Sequence, residues 1–182
     1  MQFVKTQFIQ TYEIKKSKFI AYLFPYQEFN TTMEMLKKEH SKARHFVYAY
    51  RYLNEFDQVV ENCSDDGEPK GTSGKPSLSV MSGNGMINSC VIIVRYFGGI
   101  KLGTGGLVKA YSTVVNQVID NSILYPYIKL EQITIKVSYS NLSKVEYEIS
   151  KYDINIIKKE FMDNVILTLE GAKDLLDIFA IS

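Results

Sequence analysis

Tryptophan is absent from these 182 residues, and cysteine and histidine occur only twice each. Cys63 and Cys90 stand in no metal-binding spacing and no CxxC pair is present, which excludes a disulfide framework and argues against a zinc site. A reduced, cytoplasmic protein with no metal and no cofactor is the expectation. Long hydrophobic runs are missing too. The longest strictly aliphatic stretch covers residues 91–94, far too short to cross a membrane, and the opening MQFVKTQF has no secretory apolar core. A net charge of +1 argues against a strongly basic nucleic-acid protein. It conceals an asymmetry: residues 1–125 carry 14 Lys and Arg against 11 Asp and Glu, whereas residues 126–182 carry 7 against 9. Any polyanion is therefore expected on the first part. One further absence is local. No carboxylate lies between Glu68 and Asp120, while Lys70, Lys75, Arg95, Lys101 and Lys109 all fall in that window.

What is present is an apolar share of 46%, enough to bury a core. The stretch VIIVRYFGGIKLGTGGLVKAYS, residues 91–112, organises the chain around it. Its β-branched start reads as a buried strand. Gly98, Gly99, Gly103, Gly105 and Gly106 follow, and then Leu107, Tyr111, Val114, Val115 and Val118 repeat at helical spacing. Thr104 or Gly105 is placed to start that helix. Strand, glycine loop and helix N-terminus form an anion-binding pattern, because bare N–H groups can approach a ligand closely. A sharp turn packing helix against strand would use the same glycines; the acid-free window favours phosphate contact. Neither a Walker A loop nor a dinucleotide fingerprint is matched.

Residues 3–12 and 19–24 read as strands around a charged turn with Lys15, Lys16 and Lys18, a solvated turn or a polyanion contact. A helix is expected over residues 27–39, and a strand over 43–52 by strict alternation, which puts His45 with Val47 and Ala49, toward the core. Residues 59–64 suit a hairpin partner. The loop SDDGEPKGTSGKP, residues 64–76, is too long and too constrained for a mere connector. Its Asp66 and Glu68, with His45, are catalytic candidates; capping of turns is the alternative use of such carboxylates. Pro76 suits the first turn of a short helix ending near Gly83. Beyond a boundary at 125, the order strand, helix, strand, strand, helix reads as a ferredoxin-like domain without its last strand, expected over residues 126–182. That half shows no catalytic constellation and reads as an interaction or packing module.

Lys16-Ser17-Lys18-Phe19-Ile20, Ala43-Arg44-His45, residues 64–76 and residues 95–111 together resemble the Impact/YigZ family, over nearly the whole chain. The resemblance implies an α+β, two-domain protein. Its first domain would have the ribosomal-protein-type fold of elongation factor G domain IV, and its second would be a small ferredoxin-like domain similar to domain V of that factor. Fold likeness to translation factors is an analogy about function, not a site. Eukaryotic relatives regulate translation by competing for an activator of an initiation-factor kinase through an extra N-terminal domain, a partner that does not carry over.

The reading that follows is a non-enzymatic RNA- or ribosome-binding protein in translational regulation or stress response. Arg95, Lys101 and Lys109 would contact phosphates, Gly98, Gly99, Gly103, Thr104, Gly105 and Gly106 would allow close approach, Tyr96 and Phe97 would stack on bases, and Lys70 and Lys75 would extend the surface. On this reading, Arg95→Ala with Lys101→Ala weakens binding without unfolding the domain. The alternatives are an enzyme acting on a small phosphorylated compound through His45, Asp66 and Glu68, and a module that binds a protein partner.

Overall fold

The computed structural model describes residues 1–180, a mixed α and β architecture with several sheets. Contacts divide the chain into Met1–Tyr127 and a second unit from Ile128 onward. The first unit is built on β6, Ser89–Tyr96, the centre of a five-stranded antiparallel sheet. On one side of β6 lie β3, Ser17–Pro25, and then β2, Phe8–Ile14; on the other lie β4, His45–Leu53, and then β5, Val59–Ser64. The β-branched run of β6 is buried on both faces, and each such side chain contributes about 1.5–3 kcal/mol.

The two faces carry separate cores. Val91 and Ile93, with Phe19 and Val47 beside them, pack under α2, Gly74–Gly83, and α3, Gly103–Asp120, whose Leu107, Tyr111, Val114 and Val118 face the sheet. Ile92 and Val94 on the opposite face pack with Phe46, Tyr22 and Leu36 of α1, Phe29–Glu39. Arg95 follows Val91 and Ile93 onto the α3 face, and Tyr96 follows Ile92 and Val94 onto the α1 face. That alternation decides what each can do.

Four expectations shift. The first strand is broken: β1, Gln2–Phe3, pairs with β7, Tyr125–Pro126, before β2 begins at Phe8. The residues just after Leu124 thus belong to the first unit rather than to a linker. Helix α1 starts at Phe29, after a 3₁₀ turn over Tyr26–Glu28. The charged turn shrinks to two residues, Lys15 and Lys16, at φ of 46° and 62°, between the paired Ile14 and Ser17. Such a turn usually takes Asn-Gly, since both central residues need the left-handed region. Finally, α3 starts at Gly103, where φ is 74°, ahead of Thr104 and Gly105.

The second unit holds β8, Leu130–Val137, α4, Leu142–Ile149, β9, Ile154–Phe161, β10, Val165–Ala172, and α5, Lys173–Ala180. Its three strands run in the order β8-β10-β9, with Val165, Leu167 and Leu169 in a core closed by Ile149, Leu176 and Phe179. Among the described residues no helix is long and apolar enough to cross a membrane.

Candidate functional site

The site lies where β6 leaves the sheet. Register places Lys18 beside Tyr96, and both Phe19 and His45 beside Arg95, so three motifs distant in sequence meet at one sheet end. The 64–76 loop closes over it from β5.

Glu68 and Asp66 of that loop both bond the protein at this end of the sheet. Glu68 is buried, its side chain 3% exposed, and both its oxygens accept from Arg95 Nη1, at 2.6 and 2.8 Å. The Tyr111 hydroxyl donates to Glu68 Oε1 at 2.8 Å. Burial, with the Glu68 carboxylate next in effect, pushes the Tyr111 phenol far above its ordinary range, which keeps it a donor. Asp66 Oδ2 accepts the Phe46 N–H at 2.6 Å. Glu68 is thereby spent within the fold, whereas Asp66 is exposed and is bonded through Oδ2; among the described residues no three His, Cys, Asp or Glu side chains group to hold a metal.

The expected phosphate contact at Arg95 also changes character. Its side chain is only 7% exposed, and its charge is matched by Glu68 inside the fold. Its Nε is buried with no partner among the described residues. The reason is the pleat: on the α3 face Arg95 must find a counter-charge, and the loop supplies it. Removing it therefore strikes the fold, so it cannot serve as a silent binding mutant. Tyr96 is no free stacking ring either, since its hydroxyl bonds His40 Nδ1 at 2.9 Å while Tyr22 holds His40 Nε2 at 2.7 Å. Phe97 is 55% exposed, with its ring 5.6 Å from the Arg95 guanidinium.

His45 shares the face of Val47 and Ala49 as expected. Being the first residue of β4, it sits at the sheet end, half-buried, rather than in the core. Its Nδ1 lies 2.9 Å from the Asp66 carbonyl, which can only accept. The proton is therefore on Nδ1, and Nε2 is the nitrogen left for a ligand. His45 lines a cleft of about 320 Å³ with Lys42, Arg44, Arg95, Tyr96 and Phe97. A neighbouring cleft of similar size includes Arg95, Phe97, Lys101, Gly103 and Thr104 at the start of α3. That helix carries no side-chain cap and no acidic residue in its first turn, so its N–H groups keep their partial positive charge.

The remaining lysines do not converge here. Lys75 lines a third, more open cleft between α2 and α3 with Gly71, Val108 and Ser112. Lys70 and Lys109 are exposed and border none of these three clefts. Lys42 and Arg44, by contrast, join the site although the spacing of the glycine loop does not point to them. Their signal is adjacency to His45 in sequence, which acquires meaning only through the pairing of His45 with Arg95.

The glycines divide their labour. A Cβ on Gly98 would run into the backbone of Lys16 and Ser17, and the Gly98 N–H reaches Ser17 Oγ at 3.2 Å. Its bareness thus lets the lysine turn lie against the loop. Gly98→Ala is expected to cost about 1–3 kcal/mol in urea unfolding through overpacking. Gly105→Ala, with open space around its added carbon, should instead be neutral or stabilise by up to about 1 kcal/mol.

Known proteins place this arrangement. The Impact N-terminal domain family matches residues 15–119, which take in the lysine turn, the 64–76 loop and nearly all of α3. An IMPACT family member of Haemophilus influenzae is 36% identical over 173 residues, covering 92% of this chain and 83% of that protein. The IMPACT family member YigZ of Escherichia coli is 37% identical over 158 residues, 85% of this chain and 78% of that protein. A crystal structure of an hypothetical protein superposes with a TM-score of 0.69 at 33% identity, over 99% of this chain and 89% of that one. On this span of matched residues, the chain belongs to the Impact family.

Proposed function

We propose that this protein is a non-enzymatic RNA- or ribosome-binding protein that acts in translational regulation, and that phosphates are held at the end of β6. One observation carries the reading: Lys42, Arg44 and Lys101 surround two clefts that share Arg95 and Phe97, and Glu68, the carboxylate lining one of them, is neutralised by Arg95. Cations around an aromatic ring suit a single strand or loop, where the backbone is held by charge and a base by stacking. The engagement of Glu68 within the fold weighs against an acid–base site that uses it. In this reading the first unit has the ribosomal-protein-type fold of a translation-factor domain, and the second a ferredoxin-like arrangement, in a cytoplasmic protein.

The test is co-sedimentation with ribosomes and with RNA across a salt series, with wild type beside Lys42→Ala/Arg44→Ala/Lys101→Ala. All three side chains are exposed, so the variant should keep its fold. Wild-type binding should fall steeply as salt rises, and each phosphate-binding cation removed should flatten the slope by about one unit. No sedimentation at low salt would overturn the proposal.

A further inference from the structure

Resting on that reading, we infer that the cleft lined by Lys42, Arg44, His45, Arg95, Tyr96 and Phe97 receives a phosphate monoester: the terminal phosphate of a nucleotide or of an RNA strand, rather than an internal diester. Charge is the first argument. Arg95 is matched by Glu68, which leaves Lys42 and Arg44, two cations with no ion pair of their own among the described residues, facing one cleft of about 320 Å³. A diester brings one negative charge, whereas a phosphate monoester brings about 1.5 to 2 at neutral pH. The unpaired charge of the cleft equals that of the monoester.

His45 gives the second argument. With Nδ1–H spent on the Asp66 carbonyl, Nε2 is the ring nitrogen left to meet a phosphate in the cleft. Arg95 supplies the third. Nη1 takes both oxygens of Glu68, Nε is buried without a partner, and no group among the described residues bonds Nη2, so the guanidinium keeps unused donor capacity beside the cleft. Phe97, exposed at the mouth and shared with the cleft at α3, provides a face for the base attached to that phosphate.

The measurement is fluorescence anisotropy of the full chain with two oligoribonucleotides of one sequence, one carrying a 5′-phosphate and the other a 5′-hydroxyl. The phosphorylated strand should bind about tenfold more tightly, and Lys42→Ala/Arg44→Ala should bring both strands to the same, weaker affinity. Competition by 5′-AMP separates the sources. Displacement at concentrations comparable to the strand assigns the site to a free nucleotide; resistance to displacement assigns it to an RNA end. Equal, salt-sensitive binding of both strands by the wild type overturns the inference and leaves RNA binding standing. Binding of 5′-AMP with neither strand bound removes the RNA reading and retains the monoester site. Failure of all three probes overturns both.

Discussion

Replacing Arg95 by alanine is expected to cost about 3–5 kcal/mol of stability, the effect of leaving a buried carboxylate without its counter-charge. Glu68 is almost completely shielded from water, and in the variant the Tyr111 hydroxyl alone would remain to solvate it. Glu68→Ala should cost a similar amount, because it strands the guanidinium instead. The double replacement Arg95→Met/Glu68→Leu removes both charges and should recover most of the loss, since an apolar pair of similar volume needs no desolvation. Tyr111→Phe should cost about 1–3 kcal/mol, one hydrogen bond to a charged acceptor. Equilibrium urea unfolding of wild type, Arg95→Met, Glu68→Leu and the double variant forms the cycle that isolates the pair. Equal losses in the single and double variants would show that volume, not charge, governs the position.

That result would explain why one residue can be visible in the sequence for the wrong reason. Arg95 stands out as a cation in an acid-free window, yet its partner Glu68 is the residue that opens the window, 27 positions earlier. Alternation along β6 predicts that Arg95 shares a face with Val91 and Ile93. Sequence distance gives no hint that a loop carboxylate folds onto that face. The buried strand, α3, the β4–β5 hairpin and the order of elements in the second unit are all legible, because each rests on local periodicity. The lysine turn is legible as a turn but not in its two-residue length, since Lys15-Lys16 has none of the side chains that normally mark a left-handed pair. Gly98 reads as ligand access, and the contact between two backbones that also demands a glycine there has no signal in its own segment. The cleft itself depends on His45 meeting Arg95 across two strands, a register that no single segment encodes.

The loop's own anchor is Asp65, which sequence patterning does not separate from Asp66. Its Oδ2 accepts the Gly71 N–H at 2.7 Å, and its Oδ1 accepts from Ser73 N, Ser73 Oγ and Gly74 N at 3.1, 2.7 and 2.8 Å. One carboxylate thereby caps α2 and fixes the turn that delivers Glu68 to Arg95. Burial by itself raises its pKa, but the bonds from Gly71, Ser73 and Gly74 outweigh that and hold it below the usual carboxylate range. Asp65→Asn should cost on the order of 3 kcal/mol at pH 7, because its amide can reproduce some of those acceptor bonds but not the charge. In the unfolded chain Asp65 titrates near pH 3.9, so its stabilisation is complete above that value and is lost as pH falls through the lower folded-state value. The difference in urea stability between wild type and Asp65→Asn should therefore be constant from about pH 7 to 5 and shrink below about pH 4. A difference that persists undiminished at pH 2 would mean that shape, and not the ionised carboxylate, holds the loop. If it shrinks as expected, acid should also loosen the placement of Glu68 and, with it, the cleft that Arg95 shares.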